Sequence, residues 1–426
     1  MCSGAIAEYP YFIARTRRAV PFFAPATLAG LNCIRRNIDF MRLYLGSRSY
    51  LQTTLAVGIV LAGAFSPLAI PRAEAQTSYT YYVSPNGSDS HIGSQTYPFA
   101  TIQHAEKVVG PGATVIVLDG TYKGDIKITS SGTSGHPITY IAQHKWGAKL
   151  VGTGTGAGSV VVGLTGGYNH IVNFDITGSD ANGIILATGS TIGATASYNQ
   201  AIGNRVHDLI TPCGSNAGSG ISTGGGSNYL GVSHDDIIGN LIVNIKGCSA
   251  GPYSTGIYIQ TPNDTAANNI VVNAGYGLET WHNANHDVIY GNTVINSPHG
   301  GFIIGAGDAP SGNVQSGTLV ENNISAGNKD GFIEEGNSRN NSYIDNLVWG
   351  NGSCTPSNCT TSPTVRSGTI SANPEFIDNN GLITGNYALQ SNSPARGTGV
   401  ARPGIPTYFD GTRRPQSGAN DIGASE

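Results

Sequence analysis

Residues 256–292 read GIYIQTPNDTAANNIVVNAGYGLETWHNANHDVIYGN. This stretch holds one unit and the start of the next. Each unit opens on Gly, an apolar residue, one variable residue and usually another apolar residue. It closes on Asn inside a β-branched pattern. Matching openings stand at Gly183-Ile184, Gly220-Ile221, Gly256-Ile257, Gly277-Leu278, Gly301-Phe302 and Gly331-Phe332, with gaps of 37, 36, 21, 24 and 30 residues. The closing asparagines are Asn204, Asn240, Asn269, Asn292, Asn322 and Asn346, with gaps of 36, 29, 23, 30 and 24. Two markers that advance together at such a period describe a solenoid in which each repeat is one coil.

Within a unit the pattern alternates: Ile257 and Ile259, Leu278 and Thr280, Phe302 and Ile304. No window sustains an i, i+3, i+4 pattern for two turns. Period two in Val, Ile, Tyr and Thr, broken by Gly, Asn and Asp, is strand chemistry. The chain is therefore expected to be all-β, a right-handed parallel β-helix with three short strands per coil and coils about 4.8 Å apart.

Residues 1–75 carry eight of the 22 Lys and Arg but only three of the 26 Asp and Glu. The remainder has 14 basic against 23 acidic residues, a formal net charge of −9. That balance argues against nucleic acid as a partner, and more weakly against a strongly polyanionic substrate. The 60 glycines, about twice the usual share and without a collagen period, suit tight turns between many strands.

The apolar run LAVGIVLAGAFSPLAI at 55–70, Ala73-Glu74-Ala75 before Gln76, and Arg42 and Arg48 after Met41 fit a secretory signal peptide. Ser66 and Pro67 interrupt a run already short for a membrane span. The expected organisation is a signal region over 1–75, with Met41 as the expected true start, a β-helix with its cap over 76–375, and a closing segment over 376–426. The product is expected outside the cytoplasm, free of the membrane after cleavage, and monomeric. Cys213 lies seven residues before Gly220 and Cys248 eight before Gly256. Stacked coils would bring these two close enough to bridge. Cys354 and Cys359 bracket a short loop, so two disulfides are expected. With no CxxC pair, a metal site on these thiols is the weaker reading.

At the start, YTYYV at 79–83 reads as a strand. Thr101 caps a short amphipathic helix, IQHAEKVV, and ATVIVLDGTY follows as strand and turn. A solenoid needs its first coil covered, and this helix is placed to do it.

The run YYVSPNGSDSHIGSQTYPFATIQHAEKVVGPGATVIVLDGTY, with PITYIA closing it, resembles the opening segment of secreted right-handed β-helix proteins in the pectin-lyase-like superfamily. YFDGTRRPQSGANDIGASE is similar to the terminal segment of many bacterial exported β-helix proteins. The resemblance implies fold and export. It implies activity on polysaccharides less specifically, because the superfamily spans lyases, hydrolases, epimerases and proteins without known activity. Its calcium-dependent pectate lyases use an Asp cluster and a Lys base on neighbouring coils. Here the nearest acidic pair is Asp235-Asp236, and Lys246 is the only lysine of the central coils. Moreover His234-Asp235-Asp236-Ile237-Ile238-Gly239-Asn240 recurs as His286-Asp287-Val288-Ile289-Tyr290-Gly291-Asn292. A motif repeated at one place in two coils reads as a turn rule. The closing asparagines likewise suit a hydrogen-bonded ladder and left-handed turns.

Strand parity separates inside from outside. With Ile257 and Ile259 inward, Tyr258 and Gln260 face out. The next coils present Glu279 and Trp281, then Ile303 and Gly305, then Ile333 and Glu335, and an earlier coil Ser222 and Gly224. Following turns add His282, Asn283, Asp308 and Asn337. Tyr258 and Trp281 would form a stacking surface for a sugar, with Gly305 leaving a hollow and Gln260 and Asn283 beside it. The candidate catalytic set is Glu279, Glu335, Asp308, His282 and Tyr258. Glu334 strains the parity, and ending the strand at Ile333 would relieve it. His207-Asp208 makes a second, weaker polar site.

Two mechanisms fit this face. A hydrolase would pair Glu279 with Glu335, two coils or about 9.6 Å apart along the stack. A lyase would take the proton beside a uronate carboxyl with Tyr258 or His282. Calcium is the one cofactor left open, held by Glu279 and Asp308. The sequence reading is an extracellular polysaccharide or oligosaccharide as partner, lyase first and inverting hydrolase second, with a non-catalytic carbohydrate-binding or matrix protein as the other class.

Overall fold

The computed structural model describes residues 79–156, 158–187, 196–209, 218–224, 232–245, 254–306, 314–352 and 365–426. Residues 1–75, Asp308, Lys246 and the four cysteines Cys213, Cys248, Cys354 and Cys359 lie outside them. No helix among the described residues is long and apolar enough to cross a membrane.

The chain winds through three parallel sheets as a right-handed parallel β-helix. Sheet A has eleven strands, from Thr80–Val83 to Val365–Ser367, and sheet B ten, from Gly120–Lys123 to Ile370–Ser371. Sheet C has eight, from Ile126–Ile128 to Phe332–Gly336. A typical coil runs Thr255–Ile259 in sheet C, Thr265–Ala267 in A and Ile270–Val272 in B, and re-enters C at Tyr276–Thr280. Equivalent residues stand in register, so Ile257, Leu278, Phe302 and Phe332 form one inward column. All four are fully buried, and each such side chain stabilises the fold by about 1.5–3 kcal/mol. Phe302 and Phe332 stack with centroids 4.6 Å apart. The opening glycines are explained by crowding. A Cβ on Gly256 would run into Val271 Cγ1 and the carbonyl of Gly277, and one on Gly277 into Val294 Cγ1 and the carbonyl of Gly301.

In the central coils the C-to-A and A-to-B corners follow one rule: a left-handed residue, then a polar side chain that bonds the neighbouring coil. At the A-to-B corner the left-handed residues are Gly203, Gly239, Asn268, Gly291, Asn322 and Asp345. The ladder is Asn204, Asn240, Asn269, Asn292, Asn323 and Asn346. Asn204 Oδ1 accepts from Phe174 N at 3.0 Å, and each later Oδ1 accepts the backbone N–H of the Asn one coil earlier, as Asn292 does from Asn269 at 3.0 Å. Two sequence expectations are thereby corrected. The ladder member is Asn323, not Asn322, and the left-handed turn belongs to the residue before the ladder Asn. Asn322 takes the turn instead, and its amide donates to Tyr290 Oη and to the Val400 carbonyl.

The strand at Phe332–Gly336 does not stop at Ile333. Parity holds, and Glu334 is buried at 3 % exposure. Its Oε1 accepts from Asn341 Nδ2 at 2.5 Å and from Ser338 Oγ at 3.4 Å, which offsets the desolvation of the carboxylate. The cap helix is Ile102–Glu106, shorter than the eight residues read from the pattern. Thr101 Oγ1 accepts from His104 N at 3.1 Å, and buried Glu106 accepts from Thr129 N and Ser130 N.

Parallel pairing ends at Ile370–Ser371, and two short antiparallel pairs follow. This last segment lies on the outer face of sheet B. Leu241, Val243, Ile270, Val272 and Ile295 pack there against Tyr387 and Ala424. That explains why LIV and IVV lose the alternation seen elsewhere: both faces of these strands are covered. Arg414, 1 % exposed, pins the segment through Asn268 Oδ1 at 3.0 Å and the Asp421 carbonyl at 3.0 Å, with its guanidinium 3.9 Å from the Tyr408 ring.

Candidate active site

The outer face of sheet C is built by the same register as its core. Ser222, Tyr258, Glu279, Ile303 and Ile333 occupy one line, each opposite the next. Gly305 stands opposite Glu335 one step along. Strand parity therefore brings Tyr258 and Glu279 together as neighbours one coil apart, near the ordinary spacing of about 4.8 Å.

Exposure divides this line. Tyr258, Glu279, Trp281, His282 and Asn283 are half-buried, and Glu335 is exposed. Ser222, Gln260 and Ile303 are covered. Gln260, expected to meet a ligand, spends its amide on Ser222 Oγ at 2.8 Å and the Gly224 carbonyl at 2.5 Å. The hollow expected over Gly305 is filled, because a Cβ there would strike the Trp281 ring. Trp281 thus occupies the space over Gly305, and glycine is what lets it do so.

The most specific contact is between Tyr258 and His282. Tyr258 Oη is 3.1 Å from His282 Nε2, with the rings tilted at 52° and centroids 5.9 Å apart. Beside them Glu279 Oε2 accepts from Thr255 Oγ1 at 3.0 Å. His282 has φ 56°. In that coil the corner position belongs to His286, φ 59°. His282 is thus an additional left-handed residue outside the corner rule. Such a conformation costs of order 1 kcal/mol or more in a non-glycine residue, and these outliers cluster at functional sites. The turn is closed by Ala284 N on the Trp281 carbonyl at 3.1 Å and by Asn283 N on the Gln260 carbonyl at 3.3 Å.

Glu335 stands apart from this group. It is two coils from Glu279 and two residues further along the strand, which puts the Cα atoms about 12 Å apart. Its pKa is raised by partial burial and by Asp330, against a smaller opposing effect of Lys329. Asp308 lies outside the described residues. Among those described, no three His, Cys, Asp or Glu are grouped so as to hold a metal.

The His207-Asp208 pair belongs to a different wall. His207 Nδ1 is 2.8 Å from Asp208 Oδ2, and its Nε2 is 3.0 Å from Asp175 Oδ1, which also accepts Arg205 Nε at 2.8 Å. Both ring nitrogens are committed to carboxylates, so this is a closed ion cluster rather than a base. The sequence placed Arg205, His207 and Asp208 together in a run that reads as a turn, whereas they lie on the strand Arg205–Leu209. It did not show Asp175, which reaches them only through the stacking of coils.

No family model matches the chain. An uncharacterized Bacillus subtilis (strain 168) protein, YwoF, is 38 % identical over 89 residues, which is 19 % of this chain and 19 % of that relative. Among solved structures, pectate lyase Pel9A matches with a TM-score of 0.50 and 16 % identity, covering 82 % of this chain and 96 % of that one. An alginate lyase from Paenibacillus sp. str. FPU-7 matches with a TM-score of 0.47 and 17 % identity, over 69 % and 95 % of the two chains. At these identities the likeness to Pel9A establishes the fold.

Proposed function

We propose that the chain binds an extracellular polysaccharide across the outer face of sheet C and cleaves it by β-elimination at Tyr258, His282 and Glu279. The observation that supports this most is the 3.1 Å contact between Tyr258 Oη and His282 Nε2, held by a left-handed His282 that no corner requires. The imidazole takes the phenol's proton, and the phenolate removes the proton beside a uronate carboxyl. As the C–H bond breaks, a C=C bond forms and the bond to the glycosidic oxygen breaks. That oxygen takes up the proton held by the His282 imidazolium as it leaves, which returns the imidazole to its neutral form while Tyr258 keeps the proton taken from carbon. Asn283, on the same turn, offers a neutral amide to the uronate carboxyl, where charge builds up. Trp281 offers its ring to a neighbouring sugar. A pectate lyase uses the same fold, which makes the assignment compatible with the architecture.

A second reading rests on the raised pKa of Glu335. A carboxyl with a raised pKa suits the general acid of an inverting hydrolase, with Glu279 as base. About 12 Å between their Cα atoms requires the side chains to converge to reach the 6.5–9.5 Å such pairs show. Incubation with a panel of uronate polymers separates the two. New ultraviolet absorbance from an unsaturated product supports elimination, and new reducing ends without it support hydrolysis. Binding with neither leaves a carbohydrate-binding protein.

A further inference from the structure

The C-to-A corner carries a second ladder, and its middle is acidic. The left-handed residues are Tyr198, His234, Asn263 and His286, followed by Asn199, Asp235, Asp264 and Asp287. Each Oδ1 accepts the backbone N–H of the equivalent residue one coil earlier: Asn199 from Asn169 at 2.9 Å, Asp235 from Asn199 at 2.8 Å, Asp264 from Asp235 at 2.9 Å, and Asp287 from Asp264 at 3.0 Å. Asn199 shows what the second atom of the side chain does here. Its Nδ2 donates to the Gly166 carbonyl at 3.1 Å and to the Leu186 carbonyl at 2.8 Å. The A-to-B ladder repeats that use, as in Asn240 Nδ2 to the Ala201 carbonyl at 2.9 Å. The second position is therefore a donor's position, and three successive coils fill it with a carboxyl oxygen.

All three aspartates are at most 1 % exposed. Oδ2 of Asp235 and Oδ2 of Asp287 meet no hydrogen-bond donor. Oδ2 of Asp264 lies 2.5 Å from Thr261 Oγ1, and a proton on Oδ2 is donated there when the Thr261 hydroxyl is turned to Thr223 Oγ1. Coils about 4.8 Å apart would set three ionised carboxylates against one another in a dry core, where an unpaired charge is most costly. The neighbouring charges do not relieve this. Asp236, which accepts Gln200 Nε2 at 2.8 Å, adds negative charge. His234 and His286 are exposed at the turn. No lysine or arginine among the described residues contributes to any of the three.

We propose that Asp235, Asp264 and Asp287 form a proton-binding column, held in the folded chain as carboxylic acids whose Oδ2–H replaces the amide N–H of a ladder asparagine. Burial is the main cause of the raised pKa of each, to about 7 for Asp264 and well above the ordinary value for the other two. The sign follows. The folded chain keeps protons that the unfolded chain releases near the usual carboxylate range. Stability is therefore fully present below that range and falls as pH rises through the folded values. The column also adjoins the candidate site. Thr261, which meets Asp264, lies 2.9 Å from Thr223 Oγ1, and that oxygen accepts Gln260 N at 3.0 Å. The proposal does not depend on what sheet C binds.

Two measurements on the full chain test it. Infrared spectroscopy at neutral pH is expected to show the carbonyl band of buried carboxylic acids, absent from the triple variant Asp235→Asn/Asp264→Asn/Asp287→Asn. Urea unfolding of the wild type is expected to lose up to tenfold in the folding equilibrium constant per pH unit for each retained proton, and the triple variant to lose that slope. If the triple variant does not fold, Asp264→Asn alone should remove part of both signals. A wild-type spectrum without the acid band, or asparagine variants with an unchanged pH slope, would overturn the proposal.

Discussion

Tyr258 and His282 come from successive coils, 24 residues apart in sequence, yet their polar atoms lie 3.1 Å apart on the outer face of sheet C. Tyr258→Phe keeps the ring and removes only the hydroxyl. Turnover on the responsive polymer should fall by about 10²- to 10⁴-fold, the usual worth of a positioned acid or base. The melting temperature should barely move. Steady-state rates beside a thermal melt decide it, and a variant as active as wild type removes Tyr258 from the reaction.

Glu279→Gln keeps an acceptor for Thr255 Oγ1, the bond Glu279 makes at 3.0 Å. The expected result is loss of turnover with a stability change within about 1 kcal/mol, as for surface substitutions. Retained activity would discard the proposed centre, whichever of the two reactions it carries.

The ladder is testable at its middle. Asn269 Oδ1 accepts from Asn240 N and Nδ2, and its Nδ2 donates to the Ile237 carbonyl and to Asn292 Oδ1. Asn269→Leu leaves these groups buried without partners, at about 1–3 kcal/mol for each one that water cannot reach. Urea titration should show a loss of several kcal/mol. A loss below about 1 kcal/mol would mean that the ladder is not a stabilising element.

Arg414 fixes the last segment to the outer face of sheet B through its bonds to Asn268 and the Asp421 carbonyl. Replacing it by Met strands these acceptors. Limited proteolysis should then cut within 400–426 well before the coils are attacked, whereas the wild type should resist. Equal resistance would show that the apolar contacts of Tyr387 and Ala424 suffice.

The ion cluster on sheet B predicts pH dependence with two limbs. Asp175, though buried, is held at about 2 by hydrogen bonds from His207 and Arg205. Its contribution, roughly 2 kcal/mol, is present above the ordinary carboxylate range and lost as pH falls towards 2. His207 is buried, but Asp175 and Asp208 raise its pKa. Its contribution is present below the ordinary histidine value and lost as pH rises through the folded one. His207→Gln should flatten the second limb and weaken the first, because Asp175 then keeps only Arg205 as a charged partner, as read from unfolding midpoints across pH.

The coil itself was legible in the text, because its cause is local. Gly256 and Gly277 repeat since any side chain would meet Val271 and Val294, and the alternation of Ile257 and Ile259 follows from the pleat. The outer line from Ser222 to Ile333 was legible for the same reason. What the text hid depends on other coils. Asn322 and Asn323 look interchangeable until the turn before each rung is seen to need a left-handed residue. Gln260 reads as outward, yet Ser222 and Gly224 of the previous coil consume it. Trp281 fills the space over Gly305, a contact that no spacing announces. Asp264 belongs to the acidic column although it lies in no copy of the repeated His-Asp motif.

The asparagine rungs also set a unit of length for redesign. From Asn269 to its partner Asn292 the chain advances 23 residues. Excising residues 269–291 would make Asn292 the rung mate of Asn240, with the A-to-B corner and the inward column finding equivalent mates. Excising a few residues more or fewer would leave amides facing apolar groups. The protein can therefore be shortened or lengthened in whole rungs, as a screw thread is cut, but not in fractions of one.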